Sequence, residues 1–254
     1  MVRIYSQEEI EKIAASGGIL ANVLKSVAKE AKIGVSLKDL DNLAFKLTKE
    51  AGADPAFLGY RPRGAEKSYS ASICSSLNDV VVHGLPTSYK LKNGDIFKID
   101  FGVKYQGFYS DSAITIAIGK ISKEADNLIN ATKIALDEAI CMAQPGNHLG
   151  DIGWIIEKIA KKFKVKVIKN LTGHGIGKNL HEEPTIYNFG EKGTGLELKP
   201  GMVLAIEPMF STGTDQIIQK KDESWATRDR SLSAHFEHTI AIRESGSSVL
   251  TNYI

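Results

Sequence analysis

Four acidic residues stand inside apolar runs that read as strands. Asp100 ends the run IFKI, and Asp111 lies between Tyr109-Ser110 and SAITI. Glu207 ends VLAI, and Glu237 lies in AHFEHTIAI. Aspartate and glutamate are depleted in strands and are seldom buried without a partner. One such residue reads as half of a salt bridge. Four, with no obvious buried lysine or arginine beside them, call for compensation of another kind, which divalent cations supply. Asp100 and Asp111 are separated by a turn at Gly107, so a hairpin brings them face to face. Glu207 and Glu237 read as a repeat of that arrangement.

Of the six histidines, His174 sits between glycines in TGHGIG, His83 in VVHGLP and His181 at the start of HEEP. An imidazole flanked by glycine has little to pack against, and glycine allows close backbone approach to a ligand. His148 reads as a cap and His238 as structural. His235, two residues from Glu237, shares its face and could support it. Carboxylates with one imidazole make a hard site suited to manganese, iron, cobalt or zinc. One ion would be over-neutralised by four acids, so two bridged ions fit better. Such a centre activates water and clamps the oxygens of a carbonyl under attack, with spare histidines for substrate or developing charge.

The elements that must position these residues come in two copies. Leu91 to Asp100 (LKNGDIFKID) and Leu198 to Glu207 (LKPGMVLAIE) share one pattern: a turn with glycine, an apolar strand, a terminal acid. Helical periodicity covers Gln7 to Ala31 behind Ser6, and Leu37 to Lys49 behind Ser36, with Leu37, Leu40, Leu43, Ala44 and Leu47 as its buried stripe. A second pair covers Ser122 to Met142 and Leu149 to Phe163. Asp54 to Tyr69, Gly173 to Gly177 and Ser211 to Asp215 read as loops. Ser70 to Ser76, Val80 to Val82, Ile96 to Val103, Phe108 to Ile118, Val165 to Ile168, Met202 to Ile206, Trp225 to Arg228 and Ser233 to Arg243 read as strands. The expected fold is α/β of the α+β kind: one domain over residues 1–254, made of pseudo-twofold halves at about 1–118 and 119–254, with helices covering a curved antiparallel sheet.

The 254 residues suffice for a large core, and the 43% hydrophobic and 24% charged content is that of a globular protein. A net charge of +2 gives no argument for nucleic acid. Two cysteines make no disulfide framework, and no apolar run approaches a membrane span, so a cytoplasmic location is expected.

In the order and spacing of NDVVVHGLP, GDIFKIDFGVKYQGFYSDSA, GHGIGKNLHEEP, GMVLAIEPMF and SLSAHFEHTIAI, the chain resembles the type 1 methionine aminopeptidases, of the pita-bread fold, over nearly its full length. The resemblance implies removal of the initiator methionine of nascent polypeptides with a small second residue. It implies Asp100, Asp111, His174, Glu207 and Glu237 as ligands of two divalent ions (cobalt, manganese, iron(II), zinc or nickel). It further implies Glu207 as proton shuttle, His181 at the carbonyl oxygen and His83 at the scissile amide nitrogen. Tyr60, Cys74, Trp225 and Phe189 or a neighbour would line the methionine pocket. Asn78, Val80 and Ser233 would hold a structural sodium or potassium ion. The family precedent is a monomer with at most transient ribosome association. Phe57, where a bacterial-type enzyme often has cysteine, and the Arg61 to Ser68 loop depart from the family pattern at the pocket rim. Prolidases share the fold and the ligand set, and a relative without activity would serve as a binding module.

Overall fold

A serine ahead of an apolar 3.6-residue period starts three of the helices. The computed structural model describes residues 2–61 and 66–252. Helix α1 (Gln7–Glu30) opens with a reciprocal cap: Ser6 Oγ accepts from the Glu9 N–H at 3.3 Å, and Glu9 Oε2 accepts from the Ser6 N–H at 3.1 Å. Ser36 caps α2 (Leu37–Glu50) through the Asp39 N–H, and Ser122 caps α3 (Lys123–Met142) through the Ala125 N–H. At α4 (Leu149–Phe163) the roles reverse, and Asp151 Oδ2 accepts from the backbone N–H of His148 at 2.7 Å. No helix among the described residues is long and apolar enough to cross a membrane.

The strands of the first half are β1 (Asp54–Pro55), β2 (Cys74–Leu77), β3 (Val80–Val82), β4 (Ile96–Tyr105) and β5 (Phe108–Ala117). Those of the second are β6 (Lys166–Val167), β7 (Thr172–Gly175), β8 (Glu182–Tyr187), β9 (Val203–Ile206), β10 (Met209–Ser211), β11 (Ile217–Gln219), β12 (Trp225–Thr227), β13 (Ser233–His235), β14 (His238–Arg243) and β15 (Gly246–Val249). All pairings are antiparallel. In the first sheet β1 and β2 both pair with β4, on the edge not taken by β5, and a second sheet runs β15-β14-β9-β7-β8. Two smaller sheets, β13-β10-β6 and β11-β12-β3, complete the set. Strand alternation divides β4: Phe97, Ile99, Phe101 and Val103 enter the main core with Leu20, Leu24 and Leu40, and Lys98, Asp100 and Gly102 face the other way. Burying each such large apolar side chain contributes about 1.5–3 kcal/mol.

Several boundaries differ from the sequence reading. Gly173–Gly177 is not a free loop, since β7 runs through Gly175. Its glycines serve close approach: a Cβ on Gly173 would lie 2.4 Å from Ala205 O, and one on Gly175 would lie 2.2 Å from Glu183 O. The Ser70–Ser76 strand begins only at Cys74, because Asp41 Oδ1 takes the N–H groups of Ser72 and Ile73. Ser233–Arg243 is two strands broken at Phe236-Glu237, and Val165–Ile168 shortens to β6. Ser211 belongs to β10, and Leu43 and Leu47 are only half-buried. Within the Arg61 to Ser68 loop, residues 62–65 lie outside the described residues.

The two halves meet along β5 and the β13–β14 break. Ala113 and Glu237 exchange both backbone hydrogen bonds, at 2.9 and 3.4 Å. On either side a threonine replaces the next rung. Thr239 Oγ1 accepts from the Asp111 N–H at 2.9 Å and donates to Asp111 O at 2.8 Å. Thr115 Oγ1 accepts from the His235 N–H at 2.9 Å and donates to His235 O at 2.7 Å. The threonines open the repeated tetrapeptide TIAI, at Thr115–Ile118 and Thr239–Ile242. Register agrees: Gly102 pairs with Asp111 as Met209 pairs with His235. The twofold therefore sets Asp100 against Glu207, Asp111 against His235 and Ala113 against Glu237. The expectation that Glu237 repeats Asp111 is corrected. Replacing Thr239 by valine keeps the shape and strands the N–H and C=O of Asp111. It should cost about 1–3 kcal/mol of stability in chemical denaturation. An unchanged midpoint would show that this hydroxyl does not hold the seam.

Candidate metal centre

Every acid of the centre is delivered by a strand end or a strand break. Asp100 and Asp111 project from the same face of the β4–β5 hairpin, offset diagonally, since Asp100 pairs with Ala113 and Gly102 with Asp111. Glu207 directly follows β9, and its carbonyl accepts from Asn188 Nδ2 at 3.0 Å. Glu237 occupies the break between β13 and β14. On β7, His174 pairs with Ala205 of β9. One ligand atom each of Asp111, His174 and Glu237 lie within 4.8 Å of one another. Glu207 joins them, with Oε1 3.6 Å from His174 Nε2 and Oε2 3.4 Å from His235 Nε2. His174 Nδ1 lies 2.9 Å from Gly175 O. A carbonyl only accepts, so Nδ1 carries a proton, and Nε2 is the ring atom turned to the acids.

The electrostatics are those of anions without enough positive charge. The four carboxylates are at most 9% exposed. Burial pushes Asp100 up to about 7, with His235 pulling it down and Glu207 pushing it further up. Burial also holds Glu207 up to about 7, His174 acting against it. Asp111 and Glu237 are driven well above the carboxylate range, by burial first and then by the neighbouring acids. Glu237 Oε1 is buried with no hydrogen-bond partner. Lys98 is fully buried close by, which the sequence reading did not foresee, but its ammonium is spent elsewhere: Nζ donates to Asn78 O at 2.8 Å, Ser233 O at 2.9 Å and Ser233 Oγ at 3.3 Å. Burial pushes it down to about 7, with Asp79 acting against this. The three positions expected around a monovalent cation are thus brought together: Asn78 and Ser233 bind Nζ, and Val80 O accepts from Ser233 Oγ at 3.2 Å.

Two imidazoles stand at the mouth of the centre. His181 keeps an exposed edge and packs its ring 4.4 Å from that of His174, with Tyr60 Oη 2.6 Å from its Nδ1. Burial of the rest of the ring, then His174 and His83, push it down to about 3. His83 has a φ of 61°, a conformation that non-glycine residues seldom adopt and that often marks functional sites. One side of His83 stays exposed; desolvation of the rest of the ring and the nearby His235 push it down to about 4. Cys74 pairs with Asp100 across β2 and β4 and donates its thiol to that acid; burial raises the thiol, which stays neutral. The apolar cluster that holds Cys74 and Tyr60 contains Leu180 and Phe57. Phe189 is not part of it and packs on Tyr187 at 5.3 Å. Leu180 is the residue that sequence reasoning passed over; its position directly before His181 was the available signal. Phe57 presses on Gly102, where a Cβ would lie 2.8 Å from its ring. Trp225 belongs to a separate cluster with Val82, the residue before His83.

These residues fit divalent metal. The donors are hard oxygens with one oriented imidazole, and an acid oxygen is left orphaned among them. The metal-free protein should carry the strain as a pH dependence. Raised carboxylates hold protons in the folded state that the unfolded chain has released, so their stabilising effect is lost as pH rises through the folded values. His83, His181, His235 and His238, all pushed down, act oppositely, but only up to their ordinary value of 6.5. Lys98 opposes by one proton from about 7 upward. The metal-free protein should therefore lose roughly 1–3 kcal/mol between about pH 6.5 and 8. Saturating divalent metal should abolish that loss in denaturant titrations. A flat metal-free profile would contradict the assignment.

Residues 11–244 match the model of metallopeptidase family M24. A methionine aminopeptidase of Aquifex aeolicus is 48% identical over 257 residues, spanning 98% of each chain. The crystal structure of a methionine aminopeptidase from Thermotoga maritima matches with a TM-score of 0.95 at 40% identity, over 99% of this chain and 100% of that one. A prolidase from Pyrococcus horikoshii shares the fold at a TM-score of 0.75, with 23% identity and only 64% of its length covered. On sequence and structure together, the chain belongs to metallopeptidase family M24, in its branch of type 1 methionine aminopeptidases.

Proposed function

We propose that the chain removes the N-terminal methionine from nascent proteins and peptides whose second residue is small, in the cytoplasm. The observation that carries this reading is the buried cluster of four acids closed by His174 Nε2. Two divalent ions suit it better than one: His174 and Glu207 would hold the first, Asp100 the second, with Asp111 and Glu237 between them. Cobalt, manganese, iron(II), zinc and nickel all accept this donor set, and availability selects among them. Bound there, such ions make water acidic near neutral pH and polarise the substrate carbonyl.

The chain's own groups do the rest. Glu207, buried at the lip of the acid cluster beside His174 and His235, takes the proton of the attacking water and passes it to the leaving amine. With Tyr60 donating to Nδ1, His181 carries its proton on Nε2 and offers it to the carbonyl oxygen as charge develops. His83, near both His181 and His235, reaches the scissile amide nitrogen. The wall of Tyr60, Cys74 and Leu180 takes the methionine thioether, with Trp225 behind His83. The acids attract the free α-amine, which confines cleavage to the first bond.

Incubation of the metal-loaded protein with Met-Gly-Met-Met and with Xaa-Pro dipeptides separates this reading from a prolidase. Release of methionine from the first, and no cleavage of the second, is expected. Asp111→Asn should lower kcat/KM at least about 100-fold with the fold retained. Unchanged activity in that variant, or full activity after complete chelation, would refute the metal mechanism. His181→Ala should lower kcat by about 100-fold or more. Tyr60→Phe, which only releases the ring, should lower kcat/KM by roughly 3–10-fold. A kcat loss of less than about 3-fold in His181→Ala would show that His181 acts as packing rather than as a proton donor.

A further inference from the structure

We propose that Lys98 is a tethered replacement for the monovalent cation of the Asn78, Val80 and Ser233 site, so that this protein takes no sodium or potassium there. The resemblance implied an exchangeable ion at those three positions; the geometry disagrees. The Lys98 ammonium has three acceptors for its three protons: Asn78 O, Ser233 O and Ser233 Oγ, at 2.8, 2.9 and 3.3 Å. The serine hydroxyl can receive because its own proton goes to a carbonyl, with Val80 O at 3.2 Å and Asn78 O at 3.1 Å. Asn78 O is saturated, since it also accepts from the Ser233 N–H at 3.0 Å. The Lys98 ammonium already occupies the point where Asn78 O, Ser233 O and Ser233 Oγ converge, and two like charges cannot share one dry position about 3 Å across.

The surroundings are built for this. Asn78 sits at a φ of 48°, held by its own side chain: Nδ2 donates to Asp95 Oδ1 and Oδ1 accepts from the Ile96 N–H, both at 3.0 Å. That turn aims the carbonyl at Lys98. The carbonyls come from both halves of the chain, the Asn78 turn in the first and β13 in the second. Lys98 stands two residues before Asp100 on the same face of β4, and Ser233 two residues before His235 on β13. The ammonium therefore clamps the strand of a candidate ligand to the strand of the imidazole that faces Glu207. A covalently attached group cannot dissociate at low salt, so the clamp needs no ion from the medium.

The test compares the metal-loaded protein in choline chloride, sodium chloride and potassium chloride at equal ionic strength. For the unmodified protein, Tm should agree within about 1 °C and kcat/KM within about 1.5-fold across the three salts. A specific gain in sodium or potassium would overturn the proposal. Lys98→Ala should lower Tm in choline by on the order of 5–10 °C and recover at least half of it in roughly 100 mM sodium, potassium or ammonium. Rubidium should be retained at about one per chain in that variant and not in the unmodified protein. Lys98→Met fills the space without the charge; it should show the same loss and no cation response. Either variant matching the unmodified protein in choline would sink the idea. Should Lys98→Ala fail to fold, the salt series and rubidium retention on the unmodified protein decide alone.

Discussion

Four carboxylates in one dry space repel one another, and each loses the water that would stabilise its charge. The described residues around Asp100, Asp111, Glu207 and Glu237 offer no lysine or arginine as a partner. They offer histidines pushed towards neutrality and one buried ammonium turned away. The folded chain without metal is thus held with its acids partly protonated. Much of the architecture exists to keep the four together in spite of this. The β4–β5 hairpin fixes the first pair by register, the end of β9 and the β13–β14 break present the second, and the threonine seam locks one pair to the other.

Duplication made this arrangement available, but symmetry did not make it functional. Under the twofold, Asp100 and Glu207 are equivalents and keep the same chemistry. The other equivalences are broken: Asp111 lies against His235, and Glu237 against Ala113. Each break has a consequence. Glu237 adds an acid beside the axis, across from the small Ala113, where it can reach both sides. His235 places an imidazole beside Glu207, where a second aspartate would add more negative charge. His174 comes from β7, inserted next to β9, and the β4–β5 sheet places no comparable imidazole beside Asp100. The two sides of the centre therefore differ in donor type, which suits a reaction that must treat an attacking water and a substrate amine differently.

The acids, the histidines next to glycine and the serine caps were legible in the sequence because each breaks or begins a local pattern. The glycines of TGHGIG misled because glycine has two uses. A turn needs its positive φ, whereas β7 needs its missing side chain, and only the neighbouring strands decide between them. The β13–β14 break was hidden because apolar alternation continues across Phe236. Lys98 was hidden too: lysine is common in this chain, and nothing in IFKID separates a buried ammonium from an exposed one. The repeated TIAI was there to be read. It carries the true equivalence of the halves, which an alignment of acids alone gets wrong by two residues.

Two kinds of positive charge thus serve one site, and the difference between them follows from what each must do. At the centre the charge must act on water and carbonyl, so it has to be a Lewis acid with open positions, and no side chain supplies that. Behind the centre the charge only has to draw together carbonyls from two halves of the chain. An ammonium satisfies three acceptors at hydrogen-bond distance, and its four-carbon stem is buried along β4. An ion bound from solvent would give up translational freedom each time it bound; the tethered one is already in place when the chain folds. The exchangeable ion stays where chemistry needs exchange, and the tethered group stands where geometry needs a partner already in place.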